Sequence, residues 1–116
     1  MVIRLVASSK GLVEVKPDPA HVRLGDTVMW ELFGQPGTQI DAIEWEIYFR
    51  SGNPFNSLKV GAWKGSTKSV GTGGHSGTVT AGSANQKGDW KYGVKLVNAS
   101  TGIEMSDDDP RLIVGD

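Results

Sequence analysis

Few side chains in this sequence are of types that could do chemistry. It contains no cysteine and two histidines, His21 and His75. A cysteine-free chain has no thiolate nucleophile, disulfide, iron–sulfur cluster or thiolate metal site. His75 lies in a glycine-rich stretch expected to be a flexible loop, where it could act as a base or a metal ligand. No second ligand has a fixed spacing to it, and for His21, beside the turn at Gly25, a solvated side chain is favoured.

The carboxylates suggest two other kinds of site. Asp107, Asp108 and Asp109 form the densest acidic run, and crowded carboxylates can share calcium, which takes six or more oxygens. The alternative is a charged turn that protects a sheet edge. Glu44 and Glu46 alternate along one segment, so they share the solvent face of a strand rather than facing each other across a cleft, as glycoside hydrolysis requires.

Other classes of function are disfavoured by composition. The net charge of −1 argues against nucleic-acid binding, which needs a concentrated basic surface. No apolar run reaches the length of a membrane-spanning helix. The glycines between residues 71 and 77 are not followed by the Gly-Lys-Ser/Thr and helix of a phosphate loop. We therefore expect no cofactor, no nucleic acid and no membrane insertion.

Aromatic residues offer the main candidate for a binding surface. Trp63 lies outside any strong alternation, and with Phe55 and Tyr48 it could form an aromatic patch for a sugar or a protein. His75 could extend that patch from the same connection. The alternative is that Trp63 and Phe55 fold back as lids over one end of the core.

The elements that must position these residues are short strands. Alternation of apolar and polar residues is clearest in 27–33, 42–50 and 89–98, and it indicates half-buried strands. Trp30, Trp45 and Trp90 fall on the inward faces. Weaker strands are expected at 2–7, 12–16, 20–24, 76–81 and 111–114, and residues 51–75 are expected to form a long irregular connection. About eight short strands indicate a sandwich or small barrel.

Two motifs resemble a known family. The segment from Val15 to Trp30, with its Gly-Asp-Thr-Val turn into a strand, resembles the early strands of cupredoxins. Gly88-Asp89-Trp90-Lys91-Tyr92-Gly93-Val94 resembles a later cupredoxin strand, and residues 111–114 fit the closing strand. An immunoglobulin-like sandwich is the competing resemblance.

The resemblance implies a copper site whose ligands are absent here. The cysteine position falls on Val94, and the histidine after it falls among Val97, Asn98 and Ala99. The earlier histidine is expected at residues 39–41, which are Gln, Ile and Asp. Met105 matches the weak axial ligand, which alone binds nothing tightly. The resemblance therefore implies the sandwich without electron transfer.

Together these observations predict one domain, 1–116, that is an all-β, two-sheet antiparallel sandwich of Greek-key topology, cupredoxin-like or immunoglobulin-like. The expected function is a non-enzymatic binding module with a protein or carbohydrate partner. The alternative is an immunoglobulin-like structural or adhesion domain of a surface assembly. A small hydrolase comes third, because no nucleophile, base and orienting group are visible together. Either export, with the signal removed, or a cytoplasmic location fits the sequence.

Overall fold

The computed structural model describes residues 1–39, 42–49, 52–55, 62–66 and 75–116, with the backbone alone for 62–66 and 75–81. Within these ranges the strands are β1 (Val2–Ser8), β2 (Gly11–Lys16), β3 (Ala20–Arg23), β4 (Thr27–Gly34), β5 (Ile43–Tyr48), β6 (Ala62–Ser66), β7 (His75–Ser83), β8 (Gly88–Lys91), β9 (Gly93–Asn98), β10 (Glu104–Asp108) and β11 (Arg111–Gly115). The same ranges contain no helix that is both long and apolar enough to cross a bilayer.

The strands form two sheets. The first has the order β2-β1-β4-β7. The second consists of two ladders, β10-β9-β5-β6 and β3-β11-β8, that are continuous with each other. One residue separates β8 from β9 and two separate β10 from β11, and the antiparallel pairs β9–β10 and β8–β11 keep one continuous register. Between them, the Tyr92 N–H donates to the Pro110 carbonyl at 3.1 Å and so joins the two ladders.

The inward faces of both sheets make one core, as the alternation predicts. Val28, Trp30 and Leu32 of β4 are buried, and so are the alternate residues of β5 beginning at Ile43. Aromatic rings fill the end of the core, where Trp30 packs edge-to-face on Tyr92 at 5.4 Å between ring centroids. The prediction of an all-β sandwich is confirmed.

Several details differ from the sequence prediction. Strand β1 pairs with β4 in parallel, and β3 pairs with β11 in parallel, so the sandwich is not wholly antiparallel. Residues 51–75 are not wholly irregular, because β6 lies within them and pairs with β5. The acidic run is part of an edge strand rather than a turn, since Asp107 and Asp108 belong to β10 and pair with β9. The segment 89–98 divides at Tyr92, where its neighbouring strands change.

Candidate binding notch beside strand β8

A notch opens in the second sheet where β5 ends. Strand β5 pairs with β9 as far as Tyr48 opposite Gly93, whereas β8 pairs with β11 alone among the described strands. The edge of β8 that faces away from β11 therefore borders a cavity of about 450 Å³. This cavity, called here the β8 notch, is lined by Tyr48, Gly52, Asp89, Trp90, Lys91, Tyr92, Gly93 and Asp109.

The backbone of β8 presents hydrogen-bonding groups to the notch. In an antiparallel pair, residues that exchange both backbone bonds alternate with residues that point these groups to the other side. The Tyr92–Pro110 bond fixes this alternation, so Trp90 bonds toward its partner Leu112 on β11. The N–H and C=O groups of Asp89 and Lys91 consequently point to the open edge.

One wall of the notch is the Tyr48 ring, which lies across Gly93 on the outer face of the sheet. A Cβ placed on Gly93 would stand inside this ring, 2.5 Å from the Tyr48 hydroxyl oxygen and closer still to Cζ and Cε1. A glycine inside a strand often marks such a close approach. The Tyr48 hydroxyl then donates to Asp107 Oδ1 on β10, at 2.5 Å. The ring of Tyr48 is thus held in the space left by the missing side chain of Gly93 and by its hydrogen bond to Asp107, two strands away.

Charged side chains on the outer face of β8 form the rim. Arg111 Nε donates to Asp89 Oδ1 at 3.0 Å, and its Nη2 binds the second oxygen of the same carboxylate. This hydrogen bonding holds the pKa of Asp89 below its ordinary value. Lys91 is directly opposite Arg111 in the register and forms no ion pair with any described residue. The rim therefore offers a carboxylate paired with Arg111 and an ammonium group that forms no ion pair with a described residue, although its charge also acts on Asp89.

The floor of the notch is aromatic. Trp90 is partly buried and packs against the core, and its buried Nε1 has no hydrogen-bond partner among the described residues. Tyr92 is 2% exposed, and burial raises its pKa far above the ordinary tyrosine value, so its hydroxyl stays neutral. This arrangement can bind an extended or flat molecule by stacking and backbone bonds, and it brings no nucleophile and base together.

Of the four residues predicted to form a binding surface, Tyr48 lines the notch and Phe55 does not. Phe55 is 5% exposed and packs edge-to-face on Trp30 and Phe49, at 6.3 and 5.8 Å between ring centroids. An isolated bridge to Ala84 holds its backbone there. Phe55 thus fills the end of the core, and the predicted patch that joins it to Tyr48 is not formed.

The other two predicted residues are described through their backbones. Trp63 lies on β6 and its backbone pairs with Ile47 of β5. The side chains of Trp63 and His75 lie outside the described part of the structure. His75 begins β7 and pairs with Phe33, so its backbone belongs to a sheet rather than to the expected loop. The residues that sequence reasoning missed are Asp89, Trp90 and Lys91. The available signal was Gly93, a glycine in the middle of an alternating strand.

The predicted metal positions have ordinary surroundings. His21 is exposed on β3. In the described ranges no three His, Cys, Asp or Glu side chains are grouped so that they could hold a metal ion. Within the acidic run, burial first and then the charges of Asp107 and Asp109 raise the pKa of Asp108.

A second cavity lies where the family resemblance implies copper. It has a volume of about 330 Å³, and Gln39, Asn98 and Met105 are among the residues that line it. Asn98 Oδ1 already accepts the N–H groups of residues 100 and 101, at 2.9 and 3.2 Å. Val94, to which the resemblance assigned the cysteine position, is instead buried in the core. Two amides and a thioether without thiolate or imidazole do not fit copper.

Comparison with known proteins supports the fold and goes no further. No protein-family model matches the chain, and no curated protein matches it. A solved structure of the cysteine protease inhibitor EhICP2 from Entamoeba histolytica is 10% identical, with a TM-score of 0.50 over 98% of this chain and 97% of that one. At this identity the likeness is one of fold.

Two other matched structures are of the cupredoxin fold. Auracyanin B is 12% identical, with a TM-score of 0.49 over 99% of this chain and 88% of that one. A multi-copper oxidase from Pseudomonas thermotolerans is 14% identical, with a TM-score of 0.36 over 99% of this chain and 29% of that one. The sequence itself contains no cysteine that could supply a copper thiolate.

Proposed function

We propose that this chain is a non-enzymatic binding module and that the β8 notch is its binding surface. The observation that carries the proposal is the open edge of β8. Asp89 and Lys91 direct backbone donors and acceptors into a cavity that also has an aromatic floor and a charged rim. Ligand sites commonly combine apolar or aromatic surface with a few such oriented polar groups.

A structural or adhesion domain that makes contacts through sheet edges is the second candidate. The same open edge favours it, because an unpaired strand is a ready template for another chain. The two candidates differ in the partner, which is a soluble ligand in the first case and a subunit of an assembly in the second.

The test is a ligand screen followed by mapping on the protein. Glycans, peptides and a cysteine protease are screened by thermal shift, the protease because a protein of the same fold inhibits this class. Each ligand found is then titrated into 15N-labelled protein. We expect the largest amide shifts at residues 89–93, with the amide of Glu14 on the first sheet as the internal control. A ligand that shifts Glu14 and its neighbours while 89–93 stay unchanged would contradict the proposal.

A further inference from the structure

We propose that the occupant of the β8 notch is an extended peptide that adds to the edge of β8 as an antiparallel strand and carries an acidic residue opposite Lys91. This inference rests on the proposed function and names the chemistry of its ligand. Addition of a strand to a sheet edge takes affinity from backbone bonds and specificity from alternate side chains.

The backbone sets the length and register of the peptide. Asp89 and Lys91 each offer one donor and one acceptor, so an added strand exchanges four hydrogen bonds with β8. The pairing cannot continue past Lys91, because Gly93, the next residue whose backbone groups point to this edge, is already paired with Tyr48. The notch therefore reads three consecutive peptide residues, opposite Lys91, Trp90 and Asp89.

Charge complementarity selects the first of these residues. The peptide residue opposite Lys91 lies on the outer face of the sheet, about 5 Å from it between Cβ atoms. Arg111 on the other side of Lys91 has the same charge and is engaged by Asp89. An acidic peptide side chain would form an ion pair with Lys91, which forms none with a described residue although its charge acts on Asp89. A basic residue there would meet two like charges.

The middle residue of the peptide faces inward, on the same side as Trp90. Gly52 borders this position, since a Cβ at residue 52 would be in van der Waals contact with Trp90 Cζ3, at 3.8 Å. The floor is aromatic, so an apolar β-branched side chain suits this position and the extended backbone around it. The favoured sequence is thus acidic, apolar, then polar.

A second copy of the chain fits the same edge less well. In an antiparallel pairing centred on Trp90, Asp89 of each copy would be opposite Lys91 of the other, which is favourable. The same register, however, places Gly93 of one copy opposite Lys87 of the other. Gly93 is already covered on that edge by β5 of its own copy, so two whole domains would collide where a short peptide would not.

The experiment titrates blocked pentapeptides into 15N-labelled protein. The probe is acetyl-Ser-Glu-Val-Thr-Ser-amide, and its two controls replace Glu by Lys or carry an N-methyl group on Thr. We expect saturable shifts of the Asp89 and Lys91 amides with the first peptide. Affinity should fall about tenfold with the Lys peptide, and the N-methyl peptide, which lacks one strand hydrogen bond and cannot approach the edge, should not bind.

Charge reversal in the protein provides the matched control. Lys91→Glu should reverse the preference between the Glu and Lys peptides, whereas Lys95→Glu, on β9 between two paired strands, should leave it unchanged. Equal binding of the N-methyl peptide would overturn the inference, as would shifts that depend on protein concentration rather than on peptide. If another ligand of the screen shifts residues 89–93 while no peptide does, the inference fails and the proposed function stands.

Discussion

The contact between Tyr48 and Gly93 predicts that Gly93→Ala lowers the free energy of unfolding when the Tyr48 ring is present and raises it when the ring is removed. Gly93→Ala places a Cβ 2.5 Å from the Tyr48 hydroxyl oxygen, below the roughly 3.0 Å that real Cβ atoms keep, so the ring must leave. The variant then loses the ring packing and the Tyr48–Asp107 hydrogen bond. Overpacking of this kind costs about 1–3 kcal/mol of unfolding free energy. We therefore expect Gly93→Ala to lower the urea midpoint without changing the m-value.

In the Tyr48→Ala background, the ring that would collide with the Cβ at residue 93 is absent. The φ angle of Gly93 is not in the left-handed region, so alanine fits the strand conformation and loses less backbone entropy than glycine on folding. Relative to Tyr48→Ala alone, the double variant should gain about 0.5–1 kcal/mol. The coupling energy between the two positions is then about 1.5–4 kcal/mol, because a loss of about 1–3 kcal/mol becomes a gain of about 0.5–1 kcal/mol.

Gly115→Ala is the matched control on β11. A Cβ there meets nothing within 4 Å, so this variant should be neutral or slightly stabilising in both backgrounds. Equal effects of Gly93→Ala with and without the Tyr48 ring would refute the geometry of the notch wall.

Further predictions concern the core, the acidic groups and copper. Val94→Asp should unfold the domain, because it buries an unpaired charge at a cost of several kcal/mol, while Lys95→Gln on the solvent face should change the urea midpoint little; equal midpoints would disprove the register of β9. Asp108 has a raised pKa, so Asp108→Asn should increase stability at pH 7, and this gain should vanish as the pH falls below about 4. Asp89 has a pKa lowered by Arg111, so Asp89→Asn should decrease stability at pH 7, and this loss should disappear at acidic pH. Urea melts of both variants from pH 3 to 7 measure these effects. Changes of the same sign in the two variants at pH 7 would contradict the two assignments. Added Cu(II) should give no intense visible charge-transfer band, because the sequence has no thiolate, and an intense blue colour in the absorption spectrum would contradict this.

The core was predictable from the sequence because it depends on local alternation. The inward residues of β4, β5 and β9 recur at every second position, and that period is visible without the structure. Strand β10 was missed because Glu104–Asp108 has no apolar face and becomes a strand only through pairing with β9. Strand β6 was missed for a related reason, since Ala62–Ser66 is short and does not alternate.

The β8 notch could not be predicted because it depends on where strands end relative to one another. Tyr48 was identified as a candidate member of an aromatic patch, but its position over Gly93 follows from the register between β5 and β9. For Phe55 the sequence left two alternatives, an aromatic surface patch or a lid over one end of the core. In the structure Phe55 and Pro54 are buried, and such tertiary packing leaves no periodic signal.

Hydrogen exchange at three consecutive amides tests the central claim most directly. If the edge of β8 is open, the amides of Asp89 and Lys91 exchange rapidly in the free protein, while the Trp90 amide, bonded toward Leu112 on β11, is protected. Lys95 of β9 is the reference, because its strand is paired with β5 on one side and β10 on the other. We predict fast exchange at Asp89, slow exchange at Trp90 and fast exchange at Lys91, against slow exchange at Lys95. Protection of Asp89 and Lys91 equal to that of Lys95 would contradict it, because the edge would then already be paired.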